Sequence, residues 1–119
     1  KQLLSCFMDN SKRFFHIIAV AIRVCKGTGG ETLRIVDVRE PNEYQISRIP
    51  GAQLIPLGEL PRSYAELDPD EELIVHCKMG GRSAKAADYL RSVGFRRVLN
   101  LTGGVLAWSD QIDPSQPKY

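Results

Sequence analysis

The sequence predicts an α/β fold: a central, mostly parallel sheet flanked by helices on both faces. Three observations lead there. Short apolar runs alternate with helical patterns along the chain. No two strand-like runs are joined by a hairpin signal, so each connection is a crossover. Finally, Asp37, Cys77 and the Thr102-Gly103-Gly104 turn all fall at or near strand carboxyl ends, where parallel sheets gather reactive groups.

Leu33-Arg34-Ile35-Val36-Asp37-Val38 reads as the first clear strand. Pro41 suits the first turn of a short helix over Asn42 to Gln45, because its missing N–H is an unpaired one there. Ile49-Pro50-Gly51-Ala52 turns the chain into a short strand, Gln53-Leu54-Ile55, which Pro56 and Gly58 end. A further short helix is predicted over 61–67, followed by the turn Asp68-Pro69-Asp70. Glu72-Leu73-Ile74-Val75-His76 reads as a buried strand. Ser83 to Val93 reads as a helix with Ala86, Leu90 and Val93 on one face, stopped by Gly94. Arg97 to Leu101 is a fourth strand, and Thr102-Gly103-Gly104 turns into a last helix from Val105 to about Ser109. The tail from Asp113 to Tyr119 reads as extended.

Residues 1–30 are harder to read and are expected to precede or pack on a domain spanning 31–119. Phe14 to Ile22 fits a buried strand or a packed helix equally. The apolar stretch from Phe14 to Cys25 is broken by His16 and Arg23. It is too short for a membrane span, which needs ~20 apolar residues. Gly27-Thr28-Gly29-Gly30 lacks the following Lys and Ser or Thr of a phosphate-binding loop. The chain starts at Lys1, so a fragment of a longer protein is expected.

A length of 119 residues allows one domain with a full core. The net charge of +2 points to neither a nucleic-acid nor a membrane partner. The three cysteines, Cys6, Cys25 and Cys77, form no C-x-x-C, which argues against a disulfide framework or a metal site. A reducing, cytoplasmic setting follows.

The chemistry concentrates in Cys77-Lys78-Met79-Gly80-Gly81-Arg82-Ser83, between the strand ending at His76 and the helix after it. Such a turn aims several backbone N–H groups at one spot. With Lys78 and Arg82 beside it, Cys77 is expected to ionise easily, and the thiolate is the reactive form. Gly80 and Gly81 are expected to let the backbone turn its N–H groups inward. His76 points opposite to Cys77 along a strand and is a poor general base. Cys6 and Cys25 read as apolar fillers.

Four motifs in order then resemble a rhodanese domain: Asp37-Val38-Arg39-Glu40 with Glu43-Tyr44; Ile49-Pro50-Gly51-Ala52; Cys77 to Ser83; and Leu101-Thr102-Gly103-Gly104-Val105-Leu106-Ala107-Trp108. The resemblance implies sulfur transfer through a persulfide on Cys77, with a small sulfur-donor anion bound by Lys78, Met79, Gly80, Gly81, Arg82 and Ser83. The six-residue loop from Cys77 to Arg82 resembles that of sulfurtransferases. Related phosphatases would need arginine where this chain has Ser83. Asp37 and Arg39 read as structural support by a hydrogen-bonded pair, and Trp108 as core. The ending through Pro117-Lys118-Tyr119 resembles adenylyltransferase–rhodanese fusions. That implies a preceding adenylyltransferase domain and a ubiquitin-like sulfur-carrier partner, in molybdopterin, thiamine or related pathways. No metal or organic cofactor is implied.

Overall fold

Strand alternation sorts the side chains onto two faces. Val36 and Val38, with Leu73, Val75 and Cys77, belong to one buried cluster, while Ile35 and Ile74 belong to another. A sheet that buries both faces needs cover on both sides, and the crossover helices supply it.

The computed structural model describes residues 33–119, so the expectations for Cys6, His16, Cys25 and the Phe14–Ile22 run lie outside the described residues. The order is β1 (Leu33–Asp37), α1 (Pro41–Ile46), β2 (Gln53–Leu54), α2 (Leu60–Ser63), β3 (Glu72–His76), α3 (Gly81–Ser92), β4 (Val98–Asn100) and α4 (Gly104–Gln111). The described strands form one parallel sheet in the order β2-β1-β3-β4. The α/β class read from the sequence is the fold found.

On one face, Ala86, Ala87 and Leu90 of α3 pack with Leu60, Leu67 and Phe95 over Val36, Leu73 and Val75. The small alanines let α3 lie close to the sheet. On the other face, Val105 and Trp108 of α4 join Ile49, Ala52, Leu101, Ile35 and Ile74. Among the described residues, no helix is long and apolar enough to cross a membrane.

Three local expectations are corrected. The helix expected over 61–67 is split into α2 and a 3-10 turn, Tyr64–Glu66, and a further 3-10 turn, Leu57–Glu59, precedes it. The helix expected from Ser83 begins two residues earlier, at Gly81. The tail is not simply extended. It turns at Asp113, whose carboxylate accepts from the Ser115 N–H at 3.2 Å, and returns Tyr119 to the end of β1.

Candidate functional site

Cys77 is the first residue after β3, and alternation places it on the α3 face beside Val75. The loop that follows is held by the start of α4. Val105 N–H donates to the Cys77 carbonyl at 3.0 Å, Leu106 N–H to that of Lys78 at 3.2 Å, and Gly103 N–H to that of Met79 at 3.1 Å. These are N–H groups that a helix N-terminus leaves free. With its carbonyls engaged this way, the loop turns N–H groups toward the sulfur.

The Gly80 N–H donates to Sγ at 3.1 Å, and the Ser83 hydroxyl lies 3.4 Å from Sγ. Burial pushes the Cys77 thiol up. Hydrogen bonds from the Ser83 hydroxyl and from the N–H groups of Ser83, Gly80 and Met79 outweigh it and leave the thiol below its ordinary value. Gly80 reaches this geometry at φ +131°, in the region that favours glycine. Gly81 does not need it: its φ is ordinary and a Cβ there would meet open space.

Both loop cations are engaged with other side chains. Arg82 is docked on the Glu43 carboxylate by two parallel bonds, Nη1 to Oε1 at 2.7 Å and Nη2 to Oε2 at 2.9 Å. The Lys78 ammonium lies 4.4 Å from the centre of the Tyr119 ring, a cation–π contact. Hydrogen bonds, rather than these charges, dominate the lowering of the Cys77 pKa. Arg82 does feel the cysteine, but Glu43 is the larger influence on it. Met79 is 66% exposed and stands at the rim.

Behind the loop, Asp37 and Arg39 form a fully buried pair. Arg39 Nε donates to Asp37 Oδ1 at 2.9 Å and Nη2 to Oδ2 at 2.6 Å. The same guanidinium reaches the Ser47 carbonyl at 2.6 Å and the Tyr119 hydroxyl at 2.8 Å. Burial opposes the Arg39 charge, but the bonds to Asp37 and Tyr119 overcome it. His76 is buried, and one ring nitrogen, Nδ1, lies 3.3 Å from the Cys77 carbonyl. Burial lowers its pKa and keeps the ring neutral.

The profile of the rhodanese-like domain matches residues 25–111. The chain belongs to the rhodanese-like family. Rhodanese-like/PpiC domain-containing protein 12, chloroplastic, of Arabidopsis thaliana is 43% identical over 90 residues, covering 72% of this chain and 30% of that protein. The probable adenylyltransferase/sulfurtransferase MoeZ of Mycobacterium tuberculosis is 39% identical over 92 residues, covering 76% and 24%. The chain therefore spans less than a third of either relative. A rhodanese-like domain protein from Staphylococcus aureus superposes with a TM-score of 0.74 at 29% identity, covering 84% of this chain and 94% of that one.

Three residues that this rhodanese-like domain brings to the loop were not singled out as site residues from the sequence: Glu43, Asn100 and Tyr119. Glu43 was visible only as part of a motif, and Tyr119 only as part of an ending. Asn100 accepts from the Ser83 hydroxyl at 2.5 Å and donates from Nδ2 to the Gly80 carbonyl at 3.3 Å. Its position at the end of β4 was the available signal.

Proposed function

We propose that this rhodanese-like domain is a sulfurtransferase that carries sulfur as a persulfide on Cys77. The observation that carries the reading is a single sulfhydryl seated among inward N–H groups, with the Gly80 N–H at 3.1 Å. Relatives named as sulfurtransferases support sulfur transfer in general. The Cys77 thiolate attacks the outer sulfur of thiosulfate or another sulfane donor. A new S–S bond forms, the old one breaks, and sulfite leaves with the electron pair. A thiol, cyanide or a sulfur-carrier protein then takes the outer sulfur, and the Cys77 thiolate returns. The loop amides offset negative charge on sulfur in both half-reactions.

Cys77 is only 2% exposed, which suits a donor that presents a terminal sulfur atom. Lys78, Met79, Gly80, Gly81, Arg82 and Ser83 surround that approach in this reading, and Asp37 and Arg39 hold the strand end beneath. In this reading an adenylyltransferase domain precedes the chain, in keeping with the adenylyltransferase/sulfurtransferase MoeZ, and a ubiquitin-like sulfur carrier is the acceptor. A reducing compartment such as the cytoplasm keeps the thiol available.

Intact mass after incubation with thiosulfate tests the proposal. A gain of one sulfur atom, lost in Cys77→Ser, is expected. The opposing reading is a catalytically silent binding module, favoured by the engagement of Arg82 with Glu43. It requires no gain in a folded, reduced sample.

A further inference from the structure

The Ser83 hydroxyl has one proton and three acceptors within reach: Asn100 Oδ1 at 2.5 Å, the Gly80 carbonyl at 3.2 Å and Cys77 Sγ at 3.4 Å. The orientation of the Asn100 amide is dictated by its surroundings. Its other end faces the Gly80 carbonyl, which only a donor can satisfy, so Nδ2 sits there and Oδ1 faces Ser83. Oδ1 can only accept. The short Ser83–Asn100 contact therefore holds the hydroxyl proton while the sulfur is neutral and turns an oxygen lone pair toward Sγ; the Ser83 bond to sulfur that favours ionisation forms only with the thiolate, and at the expense of the Asn100 bond. A lone pair suits a neutral S–H, which can donate to it, and opposes a thiolate.

We infer that Asn100 is a positioning residue that sets how readily Cys77 ionises, by competing with its sulfur for the Ser83 proton. When the thiolate forms, the proton swings from Asn100 Oδ1 to Sγ. The protonation state of Cys77 is thereby tied to a residue of β4 that does not bond the sulfur itself. Among the described residues, no other titratable group contests this assignment. Arg82, from α3, feels the charge of the sulfur but is bonded to Glu43 of α1. His76, from β3, is neutral, and its Nδ1 lies at the Cys77 carbonyl. The Lys78 ammonium lies on the Tyr119 ring. Asp37 and Arg39 are bonded to each other. The first turn of α4 presents only Gly104, Val105, Leu106 and Ala107.

The inference concerns the thiol equilibrium of the site proposed above and is tested apart from sulfur transfer. Thiolate absorbance is followed against pH, with the Cys77→Ser protein subtracted to remove Cys6 and Cys25. Asn100→Leu removes the nearest of the three acceptors, so that Sγ competes only with the Gly80 carbonyl for the Ser83 proton, and the Cys77 pKa falls by roughly 0.5–1 unit, the size of one neutral hydrogen bond. Asn100→Ala gives the same direction without the larger side chain. Asn100→Asp, an anionic acceptor, raises the pKa. In a Ser83→Ala background the Asn100→Leu shift disappears. A Cys77 pKa unmoved or raised in both Asn100→Leu and Asn100→Ala overturns the inference, as does a shift that survives Ser83→Ala. The titration reads the sulfur whether or not it accepts a sulfane atom. Failure of persulfide formation with the expected shifts would leave this inference standing and remove the sulfurtransferase reading.

Discussion

Gly104 adopts φ +53° and is buried beneath the loop. A Cβ there would overlap the Cys77 carbonyl oxygen and stand 2.6 Å from that of Lys78. No flexible side chain can yield, because both neighbours are backbone. Gly104→Ala is expected to lower stability by at least ~2 kcal/mol and to abolish persulfide loading. A urea midpoint and intact mass read the two effects. Gly81→Ala is the matched control and is expected to leave the midpoint no lower, since an ordinary helical φ gains by losing glycine's freedom. The two glycines looked alike as letters in the sequence. What separates them is a backbone 27 residues away pressing on one and nothing on the other.

At the scale of the element, α1 supplies Glu43 and so controls the loop's charge. Its carboxylate accepts from Arg82, from the Glu40 N–H at 3.0 Å and from the Tyr119 hydroxyl at 2.8 Å. Chiefly through Arg82, its pKa is held at about 2 against an ordinary 4.5. A depressed carboxylate contributes stability that is complete above the unfolded value. That contribution is lost as pH falls from 4.5 toward about 2. Urea midpoints across this window should drop in the native chain, and Glu43→Gln should flatten the slope there. The same substitution releases Arg82 from its counter-ion. The KM for thiosulfate is expected to fall roughly two- to fivefold, matching the ~0.4–1 kcal/mol of a part-exposed ion pair. Steady-state kinetics would show it, and an unchanged or higher KM would place Arg82 outside donor binding. The helix α1 itself was legible from Pro41, but its role was not. Glu43 meets Arg82 across 39 residues and Tyr119 across 76, and Asn100 meets Ser83 across 17. Periodicity and turn chemistry report on near neighbours, and closures of that length are decided by packing.

For the whole molecule, the parallel sheet collects Asp37, Cys77 and Asn100 at one edge, and the local signals for that sheet were strong enough to read. β-branched runs, Pro and Gly punctuation and the absence of hairpins all agreed, which is how a consistent sequence specifies a fold. Under the same edge lies the Asp37–Arg39 pair, with no exposed surface on either side chain. Arg39→Ala leaves a buried carboxylate without its partner and is expected to cost ~3–5 kcal/mol. Chemical denaturation measures it. His76 adds a second acid-sensitive step. It is buried neutral with its pKa lowered, so the unfolded chain binds a proton that the folded chain resists. Stability should begin to fall as pH drops below the ordinary histidine value of 6.5. His76→Phe should remove that upper step and leave the Glu43 step in place.

The hold of α4 on the loop has an optical corollary. Trp108 is the sole tryptophan of the chain, and it rides on α4 at 2% exposure, with its indole N–H unpartnered among the described residues. Its emission should therefore be that of an indole in a dry, apolar matrix. Any displacement of the segment 77–79 pulls on the amides of residues 103, 105 and 106. That strain reaches the fluorophore through about one helical turn. A fluorimeter would thus follow events at the sulfur in unlabelled protein, in real time.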